Sequence, residues 1–367
     1  MADAEPLALL CGRATTSTGP SGAADVAPRR ISIILPLFDR RNAGAAPLRS
    51  ALTQRFPRAR YEVIAVTARS HAIAAREPED EALLARCDRV VRTDLDAAVA
   101  ANEIQLYLAG YERSTGELVF FCEGHTVLRD DCCALIDEHF ARHPGCDLAW
   151  APRRNHAASA LGALVAMHNQ HHEQRASTVG VFSLGATSVI RRRVFDALGG
   201  LDARYLRFSE TALFHRAQRK NLAIGRIDAP LATHYNDMPV SHWRELALDA
   251  GRARFAYYGE LLAEGGVDAR IRHLVYVRAR QPWLAALLEP LLRIGGAALL
   301  GIAMRALPLH RRLAYRCYRL ALGCADLLGY CRTCIGLARQ ARADRRGREH
   351  PAASFASHAH PGVIDRD

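Results

Sequence analysis

Short apolar runs alternate with stretches of helical spacing through the first 150 residues. The run ISIILPLFD (31–39) is rich in isoleucine and stopped by Pro36, the pattern of a strand buried on both faces. APLRSALTQRF repeats its apolar residues at helical intervals, and YEVIAVTARS (61–70) is a second strand running into polar residues. PEDEALLARC predicts a helix, DRVVRTD a short third strand, and AAVAANEIQLYLAGYERS a helix leading into ELVFFCEGH. Strand and helix alternate with short connections, which predicts an α/β fold built on an open, mostly parallel sheet with flanking helices. Ligands of such sheets lie beyond the carboxyl ends of the strands. Three of those ends carry polar groups: Phe38 with Asp39, Thr67 to Ser70, and Glu123 with His125.

Beyond residue 150 the pattern changes. ALGALVAMHNQHH predicts a helix; VGVFSLGATSVIRRRVFDALGGLDARY reads as strand, turn and helix with a glycine stop at Gly199 and Gly200. SETALFHRAQRKNL is helical, and IGRIDAPLATHYND reads as one strand ending in His234, Tyr235, Asn236 and Asp237. From Ser241 to about residue 277 the chain reads as helical and basic. Residues 283–337 are the most apolar stretch, divided by Pro308 and the HRR at 310–312. A transmembrane helix needs about 20 apolar residues, yet Glu289, Pro290, Arg293 and Arg305 interrupt the first half, and Arg316, Arg319, Asp326 and Arg332 the second. Charges are costly at the bilayer centre. An interfacial or re-entrant helical pair fits better than two full spans; a soluble hairpin packed on the domain, or a dimer contact, is the other reading. The predicted layout is a flexible leader at 1–29, an α/β domain at 30–240, a basic helical connector at 241–282, an apolar membrane-associated helical pair at 283–337 and a disordered basic tail at 338–367.

Composition narrows the partners. The 367 residues suggest two units. The net charge is +11 and Lys220 is the only lysine, so the basic side is arginine, which favours bidentate contact with phosphate and carboxylate. Diphosphates and anionic lipid fit that charge, as does high-GC codon usage. Nucleic acid is not expected, because no recognisable binding module accompanies the charge, and no glycine-rich phosphate loop occurs. The ten cysteines include the adjacent Cys132 and Cys133 and several inside apolar runs, which points to reduced cytoplasmic thiols rather than a secreted disulfide framework. Asp3 and Glu5 stand where a secretory signal wants positive charge, so none is expected.

The order of elements and their end residues resembles family 2 glycosyltransferases of the GT-A fold. SIILPLFDR is similar to their first strand, which usually ends Pro-x-Tyr-Asn, and PLRSALTQRFPRARYEVIAV to the following helix and second strand. AGYERSTGELVFFCEGHTVL resembles the passage into the Asp-x-Asp motif, RRRVFDALGGLDARYLRFSE the acceptor-side segment, and IDAPLATHYND the last strand with its histidine. The most similar subset carries Glu-Asp-His in place of Asp-x-Asp, with a GRAYA sequence (here GRARFAYYG) and two apolar C-terminal helices ending near a GY pair (here DLLGYCRTCIG). The resemblance covers about residues 31–337.

This resemblance implies transfer of a sugar from a nucleotide-sugar donor to a glycan or lipid-linked acceptor hydroxyl, usually with inversion. It implies an enzyme of bacterial style, at the cytoplasmic face of the inner membrane. Positive charge must stabilise the departing diphosphate, and a carboxylate must take the acceptor proton. Pro36, Phe38 and Asp39 are then expected to shape the base pocket. Glu123 and His125 would meet the ribose, the diphosphate or a divalent cation, Mg or Mn, and His234 would approach the diphosphate. Arg69 and Ser70 complete the donor set, Arg69 as a phosphate partner or a solvated loop charge. Glu210 takes the place of the expected base or, alternatively, is a helix N-terminal carboxylate beside a Ser209 cap.

Departures from the pattern keep a second reading open. Where relatives read Asp-Asp-Gly-Ser, Thr67 and Ala68 replace the acidic residues and Arg69 the glycine, Thr211 replaces an Asp, and Tyr107 with Leu108 replace an Arg-Asn pair while Gly110 is kept. The alternative is a GT-A scaffold that has lost catalysis and serves as a membrane-bound binding subunit. Two further motifs point to structure rather than chemistry. His168 and His172 lie one helical turn apart without a third ligand, and CRTC (331–334) continues a seven-residue cysteine repeat begun at Cys317 and Cys324, as packing positions would.

Overall fold

The computed structural model describes residues 31–37, 41–68, 79–93, 103–179, 187–263 and 281–349. Strand β1 (Ile31–Pro36) is buried along its whole length and lies in a seven-stranded sheet with β2 (Tyr61–Ala68), β3 (Arg89–Thr93), β4 (Leu118–Phe121), β6 (Leu148–Trp150), β8 (Ser188–Arg191) and β9 (Ile224–Arg226), in the order β3-β2-β1-β4-β8-β6-β9. Strands β1, β2, β3 and β4 pair in parallel, and β8 runs antiparallel to both its neighbours. The alternation of side chains shows why the apolar runs are continuous. Ile31, Ile33 and Leu35 enter the core on one face of the sheet, while Ile34 enters the core on the other. Both faces are covered, so both carry apolar side chains.

The helix Glu103–Glu112 packs over β1 and β2, and its Gly110 is what lets it come close. A Cβ there would overlap the side chains of Ile34 and Val66. That contact accounts physically for a glycine inside a helix. At the opposite end of the sheet the buried carboxylate of Glu62 is hydrogen-bonded through Oε1. It accepts from Ser32 Oγ at 2.7 Å, Thr115 N at 2.6 Å and Thr115 Oγ1 at 2.9 Å.

IGRIDAPLATHYND is not one strand. It splits into β9, at the edge of the large sheet, and β10 (Ala232–Tyr235), which forms the centre of a separate three-stranded sheet between β5 (Thr126–Leu128) and β7 (Arg153–His156). Asp228 and Pro230 sit in the break. The split carries the end of β10 to the segment that follows β4.

Two long helices, Pro282–Ala306 and Arg311–Glu349, form a C-terminal hairpin that packs on the helix Val240–Ala263. The second runs to Glu349, past residue 337 where the sequence pattern placed the end of the apolar pair and the start of a disordered tail. Its last turns are arginine-rich and remain helical. Charges that interrupt the apolar stretches find partners on neighbouring helices: Arg332 Nε lies 2.9 Å from Glu289 Oε1, and Arg254 Nη2 lies 2.9 Å from Asp326 Oδ2. Both helices are long and apolar enough to cross a membrane by length and composition. Trp283, Leu287, Leu291, Ile294 and Ile302 form an exposed stripe along one side of the first. Only 11% of that helix's most apolar window is buried, against 50% for the second, so the first leaves its apolar face unpacked.

Candidate functional site

The parallel strand β4 delivers its chain to the carboxyl edge of the sheet, where Cys122, still buried, gives way to Glu123, Gly124 and His125. The backbone then turns into β5, which pairs antiparallel with β10 and sets His234 opposite Thr126. The two sheets therefore meet over three side chains. Glu123 Oε2 lies 3.0 Å from His234 Nε2 and 3.3 Å from His125 Nε2, and the two Nε2 atoms are 3.0 Å apart. Both imidazoles are buried.

The tautomer of His234 follows from its neighbours. Asn236 Nδ2 donates to Asn155 Oδ1, to the His156 carbonyl and to the His234 carbonyl, each at 3.1 Å, so Asn236 Oδ1 is left as an acceptor. It lies 2.9 Å from His234 Nδ1, which therefore carries the proton. His234 Nε2 keeps its lone pair and turns it toward Glu123. An imidazole held at its far nitrogen in this way is the usual arrangement of a metal-ligating histidine. Asn169 Nδ2 donates to the same Asn236 oxygen at 2.8 Å, tying the helix Ala160–Val179 into the network.

The protonation states agree with that arrangement. Burial pushes the Glu123 carboxyl up, but the neighbouring His125 pulls it well below the usual carboxylate range. Burial, aided by the charge of Arg153, pushes His234 down to about 3 against the opposing pull of Glu123. The carboxylate is ionised and this imidazole is neutral, the forms in which each binds a metal.

Glu123, His125 and His234 are the one group of ligand atoms among the described residues gathered tightly enough to hold a metal. The fit can be tested on two observations. First, Glu123 Oε2 is buried without a hydrogen-bond partner, whereas Oε1 of the buried Glu62 accepts several. Second, the triangle has edges of 3.0–3.3 Å. A six-coordinate cation with bonds of about 2.1 Å spans ligand–ligand edges of about 3.0 Å. The residues fit a divalent cation held by three protein ligands. Two imidazoles and one carboxylate suit a transition ion better than magnesium.

Around this triangle stand residues that the strand-end pattern did not point to. Arg153, on β7, has its Nη1 3.9 Å from Glu123 Oε2 and its Nε 2.8 Å from Glu173 Oε1. Tyr107 is buried, and its hydroxyl donates to Glu103 Oε1 at 3.0 Å. Burial raises the Tyr107 hydroxyl well above its ordinary value, and the carboxylates of Glu103, Glu123 and Glu210 add to the rise. Tyr107 thus lies within the field of both the strand-end carboxylate and Glu210.

Glu210 is half-buried in the first turn of the helix Ser209–Arg219. Ser209 does not cap that helix. It is the first helical residue, and its Oγ accepts from Asp202 N at 2.6 Å. Pro36 is the last residue of β1, paired with Val66 of β2. Phe38, Asp39, Arg69 and Ser70 lie outside the described residues, as do the leader at 1–29, residues 264–280 and residues 350–367. Among the described residues no third ligand joins His168 and His172; His168 stands edge-on to Tyr318 of the hairpin at 6.0 Å between ring centroids. Cys331 and Cys334 are buried in an apolar core with Tyr257 and Tyr330, which is packing rather than metal or redox chemistry.

No protein-family model matches the chain, and no curated protein matches it in sequence. Solved structures do. Mannosyltransferase PcManGT from Pyrobaculum calidifontis, in complex with GDP-Man and Mn2+, is similar with a TM-score of 0.50 at 15% identity, over 83% of this chain and 89% of that one. S. aureus TarS 1-349 in complex with UDP gives 0.44 at 12% identity, over 85% and 92%. Glucosyl-3-phosphoglycerate synthase from Mycobacterium tuberculosis, in complex with Mn2+, UDP and phosphoglyceric acid, gives 0.41 at 13%, over 66% and 80%. Only the first of these three is close enough to bear on the fold, and what it shows is a GT-A-like α/β architecture, here joined to a hairpin of two apolar helices.

Proposed function

We propose that the chain is a glycosyltransferase of the family 2 type, moving a sugar from a nucleoside-diphosphate donor to a hydroxyl of a lipid-linked or growing glycan, with inversion. The observation that carries this reading is the Glu123–His125–His234 triangle at the strand ends of a GT-A-like sheet, with an ionised, unsatisfied carboxylate at one corner. PcManGT, the fold relative, is named as a mannosyltransferase with GDP-Man and Mn2+ bound, which supports a nucleotide-sugar donor and a manganese-like ion here. The missing acids at Thr67, Ala68 and Thr211 favour the inactive-scaffold alternative, but a scaffold needs no such triangle.

In this reading Glu123, His125 and His234 would hold the cation at the donor side of the site. The cation, when bound, supplies positive charge for the departing diphosphate. Asn236 and Asn155 keep His234 in its ligating tautomer. The acceptor oxygen forms the new bond to the anomeric carbon, the bond from that carbon to the phosphate oxygen breaks, and its electron pair stays with the diphosphate. Glu210 takes the proton of the acceptor hydroxyl. In the same reading Pro36, Phe38 and Asp39 would shape the base pocket, and Arg69 and Ser70 would belong to the donor set.

The apolar stripe on the helix Pro282–Ala306 and the arginines of the following helix suit the surface of an anionic membrane, which the hairpin would enter from the cytoplasmic side without spanning it. Flotation with anionic and neutral vesicles checks this: binding to anionic vesicles that salt weakens supports it, and a full-length chain that stays soluble and unbound refutes it. The activity itself is tested by calorimetric titration with a panel of nucleotide-sugars, with and without Mn2+. Donor-specific binding that requires the cation, followed by turnover, is expected. Binding by no donor would return the chain to the scaffold reading.

A further inference from the structure

We propose that Arg153 is a movable counter-charge for the donor diphosphate, resting on Glu173 and turning to the phosphates when they arrive. This deepens, and rests on, the glycosyl-transfer reading.

Arg153 is placed by register. Strand β7 lies parallel to β10 with Ala232 opposite Arg153 and His234 opposite Asn155, so Arg153 and Asn155 share a face with His234. The side chain is only 15% exposed, and its guanidinium lies between two carboxylates. Neither contact uses it well. Nε is 2.8 Å from Glu173 Oε1, yet it is a buried donor without a hydrogen-bond partner, because the N–H is not aimed at that oxygen. Nη1 is 3.9 Å from Glu123 Oε2, beyond hydrogen-bond length. A guanidinium has five N–H donors in a planar fork suited to phosphate oxygens, and this fork is held close to the triangle with its best geometry unspent.

The charges require a third party. Glu123 Oε2 is the atom that a cation would take, and Arg153 faces the same atom. Cation and guanidinium repel one another across it unless an anion lies between them. A nucleotide-sugar brings a diphosphate with two negative charges, and cleavage of the bond to the sugar adds a third as the electron pair stays on the phosphate oxygen. An Arg153 that turns from Glu173 toward that oxygen meets charge that grows in the transition state, which is the condition for lowering the barrier. Glu173 is then a positioning residue. It is carried by the helix Ala160–Val179, whose start is held by the carboxylate of Asp237, just past β10, through Ala158 N at 2.8 Å and Ser159 N at 2.7 Å.

The experiment uses the full-length protein, inorganic pyrophosphate as the diphosphate probe, and calorimetric titration in the presence of Mn2+, with Mn2+ alone as a second titration. Arg153→Gln is expected to weaken pyrophosphate binding about 10- to 100-fold, while Mn2+ alone binds as tightly as before or a few-fold more tightly. Glu173→Gln is expected to free the guanidinium, so that pyrophosphate binds more tightly and Mn2+ alone more weakly. Arg153→Lys keeps the charge without the fork and should fall between wild type and Arg153→Gln; it also serves if Arg153→Gln does not fold. A merely structural ion pair predicts lower thermal stability for these variants with pyrophosphate affinity unchanged, and that result would overturn the proposal. If the wild-type protein binds neither pyrophosphate nor any nucleoside diphosphate with Mn2+, the glycosyl-transfer reading falls as well. If wild type binds and Arg153→Gln binds equally, only the role of Arg153 falls.

Discussion

Gly251 and Gly329 meet at a single helix crossing where backbone lies against backbone. A Cβ on Gly251 would overlap the carbonyl oxygen of Asp326, and one on Gly329 would overlap the carbonyl oxygen of Leu248. Each glycine is where the partner helix passes. Replacing either with alanine should destabilise the protein by about 2–3 kcal/mol or more, because the atoms in the way are main chain and cannot rotate aside. Gly323→Ala is the control: it has open space, lies in the same long helix, and should be neutral or stabilising by about 0.5–1 kcal/mol. Denaturant midpoints of the three variants decide the matter. Equal effects at all three positions would remove the crossing as the cause.

Mn2+ should bind the triangle at least about tenfold more tightly than Mg2+, since two of the three donors are imidazoles. Asn236→Ala should weaken Mn2+ binding by about 10- to 100-fold, although Asn236 touches no ion, by releasing His234 from its ligating tautomer. Asn236→Asp keeps the acceptor and should recover most of the loss. Electron paramagnetic resonance of free Mn2+ reads both variants.

Glu210→Gln should leave donor affinity within about twofold and lower turnover by about 10²- to 10⁴-fold. Turnover equal to wild type would take the base role from Glu210 and leave the Glu123 site intact. Burst and steady-state rates at saturating donor separate the two.

His168 gives the protein an acid-sensitive joint. Burial, then the charges of His172, Arg319 and His171, push its imidazole down to about 4 from an ordinary 6.5, and Nδ1 is buried without a hydrogen-bond partner. Between those two values the unfolded chain binds a proton that the folded chain does not. Stability is therefore full above about pH 6.5 and is lost as the pH falls toward 4. The loss from this group should reach about 2 kcal/mol by pH 5. Urea titrations at pH 7.5 and 5 should show a smaller difference in His168→Gln than in wild type by about that amount.

The strand ends were readable in the chain because a buried strand is a continuous apolar run and its end is marked by the first charge. Glu123, His125 and His234 stand at such ends, and so did the notice they drew. The break at Asp228 and Pro230 was not readable as a change of sheet, since both halves of IGRIDAPLATHYND have strand character and only tertiary pairing separates them. Arg153, Asn155 and Glu173 gave no signal for a related reason. RRNH is polar along its length and pairs beside β10 with a face that no hydrophobic alternation announces, while Glu173 looks like any solvent-side helix residue. The kept Gly110 was visible as an oddity in a helix; the side chains of Ile34 and Val66 supply its reason.

The hairpin is also more than an attachment. Tyr205 and Ala212, from the segment that carries Glu210, share one apolar core with Ala285, Leu327, Tyr330 and Cys331 of the two C-terminal helices. A chain shortened before residue 282 would lose half of that core together with the exposed apolar stripe, so its inactivity would report a collapsed core beside Glu210 and not merely the loss of that stripe. The same packing fixes the stand-off between Glu210 and the exposed apolar stripe of the helix Pro282–Ala306, and, if that stripe rests on a membrane as proposed, how far an acceptor would have to rise from it.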